Sequence, residues 1–140
     1  MKLTIVKTLT LASLLTVPLP LAMVATNASP AFAASALQTL DPDKDGTVDL
    51  NEAKAAASAM FDKLEKDKDG TLDRKELHGR IPEAEWAVAD PDNDKTISKD
   101  EYLAYVEGVF KKADTDNDGT LDARELKTPA GHALLPLLMK

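Results

Sequence analysis

DPDKDGTVDLNE, residues 41–52, places acids at positions 1, 3, 5, 9 and 12 of a twelve-residue frame, with Gly46 at position 6. The frame returns at residues 65–76 (EKDKDGTLDRKE), 90–101 (DPDNDKTISKDE) and 114–125 (DTDNDGTLDARE), a period of 24 or 25 residues. Threonine holds position 7 in all four, and position 8 is always apolar: Val48, Leu72, Ile97 and Leu121. Nineteen of the 24 acids fall on the five acidic positions, with Ser98 the one departure. A merely solvated charge run would not keep that spacing, so each frame reads as one repeated structural unit.

The spacing resembles the EF-hand pattern. Short carboxylates at positions 1, 3 and 5 of a tight loop converge as the chain turns. The backbone carbonyl at position 7 adds an oxygen, and a glutamate at position 12 reaches back from the following helix. The candidate ligands are Asp41, Asp43, Asp45, Thr47, Asp49 and Glu52 in loop one. Loop two offers Glu65, Asp67, Asp69, Thr71, Asp73 and Glu76, and loop three Asp90, Asp92, Asp94, Thr96 and Glu101. Loop four offers Asp114, Asp116, Asp118, Thr120, Asp122 and Glu125. Nitrogen and sulfur donors are missing from the loops: there is no cysteine, and His78 and His132 lie outside them as surface residues. An all-oxygen set suits a large hard cation and argues against zinc or copper.

The loops are unequal. One and four keep every ligand position and their glycine, so they are expected to bind best. Glu65 puts an extra methylene at position 1 of loop two. Loop three has Lys95 where glycine is expected and Ser98 at position 9. A left-handed lysine costs on the order of 1–2 kcal/mol, so loop three is expected to bind most weakly.

The spacers set the architecture. Residues 53–64 and 102–113 are twelve each, with Met60, Phe61 and Leu64 in the first and Leu103, Val106 and Phe110 in the second at helical spacing. Each is long enough for one helix shared by two loops. Residues 77–89 contain Gly79 and Pro82, which predict a turn near Gly79 and a restart with Pro82 at a first helical position. Leu37 and Leu40 suit one turn of an entering helix. Thr128-Pro129 reads as an N-cap and first helical residue of a terminal helix through Leu134, Leu137 and Leu138, whose second half Pro136 limits. The expectation is an all-α, compact three-helix-type bundle. Loops at opposite ends of one helix cannot be partners, so loop one pairs with four and two with three, touching through their position-8 residues.

The N-terminus has Lys2 and Lys7, an apolar run over residues 9–24 broken by Pro18 and Pro20, and Ala31-Phe32-Ala33. This reads as a secretory signal peptide over residues 1–33, cleaved after Ala33, with Ala36 as a competing site. Residues 34–140 are then one metal-binding domain in the periplasm. Two of the 17 basic residues go with the leader, leaving 15 against 24 acids, a charge of −9. Such a chain repels nucleic acid and anionic lipid, and its natural partner is a cation. Without disulfides and with few aromatics, its core needs help, and metal is the candidate.

Five carboxylates around one ion favour a trivalent ion by Coulomb energy, while the greater dehydration cost of that ion opposes the shift, so charge count alone leaves the ion open. Over essentially the whole mature chain the sequence resembles the lanmodulins, small periplasmic lanthanide-binding proteins of bacteria. The resemblance rests on four loops 12 or 13 residues apart, proline at loop position 2 (Pro42, Pro91), aspartate at position 9 (Asp49, Asp73, Asp122), and ARELKTPAG before a helix. Lys66 and Thr115 depart from that proline pattern. The resemblance implies selective lanthanide(III) binding with a disorder-to-order change, and a role in handling the metal beside a periplasmic partner. The alternative is an exported Ca2+ buffer or sensor docking a protein, although only Met60 and Met139 remain in the mature chain to build a methionine-rich groove. A homodimer through the helical faces is compatible with the pattern but not demanded by it. No enzyme is expected: there is no cysteine nucleophile and no histidine paired with a credible acid.

Overall fold

The structure, a computed structural model, describes residues 30–140. Most of the leader assigned from the sequence lies outside the described residues. The chain runs α1 (Pro30–Leu40), β1 (Val48–Asp49), α2 (Leu50–Leu64), β2 (Thr71–Leu72), α3 (Arg74–Leu77), α4 (Trp86–Ala89), β3 (Ile97–Ser98), α5 (Lys99–Ala113), β4 (Thr120–Leu121) and α6 (Pro129–Leu138). Single 3₁₀ turns at Glu83–Glu85 and Glu125–Lys127 precede α4 and α6. The fold is thus mostly helical, and no helix among the described residues is long and apolar enough to cross a membrane.

Periodicity explains the core. On α2 the buried residues are Ala53, Ala57, Met60, Phe61 and Leu64, one stripe at helical spacing. On α5 they are Tyr102, Tyr105, Val106, Val109, Phe110 and Ala113, and on α6 Leu134, Leu135, Leu137 and Leu138. These three helices pack on one another in pairs. Each large apolar side chain they take out of water contributes about 1.5–3 kcal/mol. Two ion pairs fix the direction of packing: Lys54 on the first half of α2 meets Glu107 on α5 at 2.6 Å, and Lys99 at the start of α5 meets Asp62 near the end of α2 at 2.8 Å. The helices are therefore antiparallel, which sets the start of α2 beside the end of α5.

That arrangement brings the loops together at both ends. β1 pairs antiparallel with β4 (Val48 opposite Leu121), and β2 with β3 (Leu72 opposite Ile97). All four position-8 side chains are fully buried. Two-residue ladders are not stable alone. Here the apolar side chains anchor them to the helical core.

Some local expectations need correction. The entering helix is not one turn but the eleven residues of α1, with Ala33, Ala36 and Leu40 buried. It crosses both alanines considered as cleavage sites. Pro82 does not open a helix: it is the capping residue before the 3₁₀ turn, with ψ 145°, and its carbonyl accepts the Glu85 N–H at 2.9 Å. The turn before it uses two left-handed residues, His78 (φ 49°) and Gly79 (φ 75°). Thr128 does cap α6, accepting from the Gly131 N–H, with Pro129 at the first helical position. Pro136 interrupts the pattern less than its missing N–H suggests. The helix continues to Leu138, and the Arg80 guanidinium donates to the Pro136 carbonyl.

Candidate metal centre

Each loop is organised by carboxylates accepting from the backbone behind them. Position 1 threads the turn: Asp41 accepts from the N–H groups of Lys44 (2.6 Å), Asp45 (3.2 Å) and Gly46 (2.8 Å). Asp90 and Asp114 do the same with Asp94 and Lys95, and with Asp118 and Gly119. These three aspartates are buried. Glu65, one methylene longer, is only half-buried and holds a single long contact, 3.4 Å from the Gly70 N–H.

At position 5, Asp45, Asp69, Asp94 and Asp118 each accept from both the N–H and the hydroxyl of the position-7 threonine, at 2.7–2.8 Å. Position 3 accepts from the position-5 N–H at 3.2–3.3 Å. The threonine hydroxyl is a role that a reading based on its carbonyl alone overlooks.

The consequence is convergence. One oxygen from each of Asp41, Asp43 and Asp45 lies within 4.8 Å of the others, and the same holds for Glu65, Asp67 and Asp69, for Asp90, Asp92 and Asp94, and for Asp114, Asp116 and Asp118. Three crowded carboxylate oxygens on a rigid turn repel one another unless a proton or a cation enters.

Positions 9 and 12 are placed differently. Asp49, Asp73 and Ser98 are the N-caps of α2, α3 and α5, in reciprocal capping boxes with Glu52, Glu76 and Glu101. Asp122 and Glu125 exchange the same two bonds at the end of loop four. The S/T/D-x-x-E signature was available in the sequence, yet reading these acids only as ligands hid it. Ser98 therefore keeps the structural half of the position-9 role. Lys95 takes φ 75°, and its N–H donates to Asp90 Oδ2 at 3.0 Å, as Gly46 and Gly119 do in their loops. Its side chain is exposed. The departure from glycine thus costs backbone strain while leaving the triplet assembled.

Crowding divides the carboxyls electrostatically. Burial pushes Asp41 and Asp90 up, but the N–H donors around them outweigh it and hold both below the usual range. Position 3 goes the other way. The Asp45 and Asp94 N–H groups favour ionisation of Asp43 and Asp92, but neighbouring carboxylates and partial burial raise both. Asp116 is raised by burial, partly opposed by the Asp118 N–H, and then by the charges of Asp118, Glu125 and Asp114. Glu52 is raised by burial, against the Asp49 N–H, and by the charges of Asp43, Asp49 and Asp41. Asp43, Asp92 and Asp116 at position 3, with Glu52, thus hold a proton more readily than an ordinary carboxyl.

The EF hand family model matches residues 106–128, which run from α5 through all of loop four. With three further loops of the same frame and convergent triplets in all four, that match supports an EF-hand type of metal-binding site. No curated protein matches the chain. His78 and His132 are both exposed and stand outside the EF-hand loops. Trp86 is buried as core, and its indole Nε1 also donates to Asp90 Oδ2 at 3.2 Å, a link between core and loop three that spacing alone did not show.

Proposed function

We propose that this EF-hand protein is exported to the periplasm, binds lanthanide(III) ions and folds around them, serving in their selective uptake, buffering or trafficking rather than in catalysis. The observation that carries the reading is the carboxylate triplet repeated in four loops, closed in three of them by an aspartate at position 9. A hard trivalent ion neutralises more of that repulsion than a divalent one. Pro42, Pro91 and the ARELKTPAG stretch add the resemblance to lanmodulins. Because a metal-free loop holds its acids against mutual repulsion, binding free energy becomes folding free energy. The periplasmic address follows from the leader-like residues 1–33.

The same triplets would accept calcium, which has similar size and the same preference for oxygen. Equilibrium dialysis of the purified protein against lanthanum in a large excess of calcium separates the two. Retention of lanthanum in the loops supports the lanthanide reading. Displacement by calcium at comparable free concentration would leave a calcium buffer.

A further inference from the structure

The position-12 glutamates differ between loops in a way that ligand counting does not reveal. In every loop one oxygen, Oε2, accepts the N–H of residue 9: Asp49 to Glu52 at 2.8 Å, Asp73 to Glu76 at 3.3 Å, Ser98 to Glu101 at 2.8 Å and Asp122 to Glu125 at 3.0 Å. The other oxygen depends on residue 2. In loop two the Lys66 N–H donates to Glu76 Oε1 at 2.8 Å. In loop four the Thr115 N–H donates to Glu125 Oε1 at 2.7 Å, and the Thr115 hydroxyl adds a bond at 3.1 Å. In loops one and three residue 2 is Pro42 or Pro91, which has no N–H to give. Among the described residues no donor meets Oε1 of Glu52 or Glu101.

The geometry points to residue 2 as the determinant of the order in which the loops fill: proline leaves the closing glutamate open to an ion, and an N–H latches it. An ion entering loop two or four competes at Oε1 of Glu76 or Glu125 with a charge-assisted hydrogen bond that Glu52 and Glu101 do not hold there. One such bond is worth about tenfold in affinity. Strand pairing places one open and one latched loop at each end of the molecule, one with four and three with two. Two ions, in loops one and three, therefore suffice to order both ladders, and loops two and four fill afterwards. Ranking by ligand count put loops one and four first and loop three last, and the contrast between loops three and four is the one at issue. The glutamate contacts reverse that pair. The inference rests on the reading of the loops as metal sites.

Terbium titration tests it, with bound ion counted by equilibrium dialysis and loop three followed by emission sensitised through Trp86. The expected result is two early and two late sites, with sensitised emission complete by about the second ion. Lys66→Pro with Thr115→Pro should strengthen the late sites about tenfold and merge the two phases. Pro42→Ala, which restores an N–H without removing a ligand, should move one early site to the late class. Proline also stiffens a loop, so the decisive control replaces the Lys66 amide by an ester, removing the one N–H that reaches Glu76 Oε1 without adding a ring. A gain in late-site affinity there supports the latch, and no gain overturns it. Sensitised emission that rises only with the last two ions overturns it as well. Four equal sites would defeat the ordering while leaving metal binding intact. No bound terbium at all would defeat the metal reading itself.

Discussion

Trp86 Nε1 donates a 3.2 Å hydrogen bond to Asp90 Oδ2, so the only tryptophan in the chain touches the first carboxylate of loop three. The bond exists because α4 ends at Ala89 and the chain turns into the loop at once, setting residues 86 and 90 one helical turn apart. The indole is held in place from its other side by the Arg74 guanidinium, 4.0 Å from the ring centroid. Excitation of Trp86 should sensitise terbium bound in loop three. Trp86→Phe should abolish that emission and leave stoichiometry unchanged. A dark Trp86 with four terbium ions bound would contradict the placement.

Lys95 carries φ 75° in a loop whose position-1 and position-5 carboxylates accept backbone N–H groups as in loops one and four. Lys95→Gly removes on the order of 1–2 kcal/mol of strain, less the entropy that glycine adds to the unfolded chain. Affinity at loop three should rise about fivefold, read from the Trp86-sensitised titration. An unchanged midpoint would show that residue 95 does not limit this site.

Gly131 is the one glycine whose substitution meets backbone. A Cβ there would run into the Glu125 carbonyl and come within 2.6 Å of Leu126 Cα. Gly131→Ala should cost about 1–3 kcal/mol through forced backbone movement. Because Glu125 closes loop four, the variant should also weaken that loop more than the other three. Thermal unfolding in excess lanthanum and site-resolved titration check both effects, and a wild-type Tm would contradict the close approach of α6.

The carboxyls give the metal-free and metal-bound proteins opposite responses to acid. Asp43, Asp92, Asp116 and Glu52 have raised folded-state values, so they bind protons more tightly folded than unfolded, and the metal-free fold gains stability as pH falls through those values. Asp41, Asp90 and Asp122 are lowered, and Glu107 is held at about 2 by Lys111 and Lys54. Their contribution is present above the ordinary carboxylate range and is lost as pH falls through the folded values. The helicity of the metal-free chain should therefore rise as the pH falls from 7 into the ordinary carboxylate range and decline below it. Cation affinity should fall as the pH drops towards the carboxylate range, because ions entering loops one, three and four must displace protons from Asp43, Asp92 and Asp116. A metal-free helicity that only declined from pH 7 to pH 4 would contradict these shifts.

Tyr102, fully buried, donates from its hydroxyl to the Leu137 carbonyl at 2.8 Å and so ties α5 to α6. Tyr102→Phe strands that carbonyl and should cost about 1–3 kcal/mol. Thermal unfolding with excess metal measures it, and a loss below a few tenths would mean that water replaces the hydroxyl.

Much of this was legible in the sequence because it is local. The twelve-residue frame announces the triplets, apolar position 8 marks the buried strand residues, and Thr128-Pro129 announces the start of α6. What escaped depends on groups brought together by the fold or on a second use of a residue already assigned. Leu103 was chosen for the α5 core by spacing, whereas Tyr102 beside it is the fully buried one, because α6 supplies a carbonyl for its hydroxyl. Glu76 and Glu125 look like any closing glutamate until the chain returns residues 66 and 115 to them. Pro82 has the φ of a helical residue but serves as a cap because the left-handed pair His78-Gly79 has already turned the chain.

We propose that a trivalent ion folds this chain and calcium at the same free concentration does not. Far-UV circular dichroism during parallel titrations with lanthanum and calcium measures it directly. The expected result is a large gain in helical signal with lanthanum at free concentrations where calcium produces little. Equal gains at equal free metal would contradict selectivity, and a full helical signal before any metal is added would contradict folding on the ion.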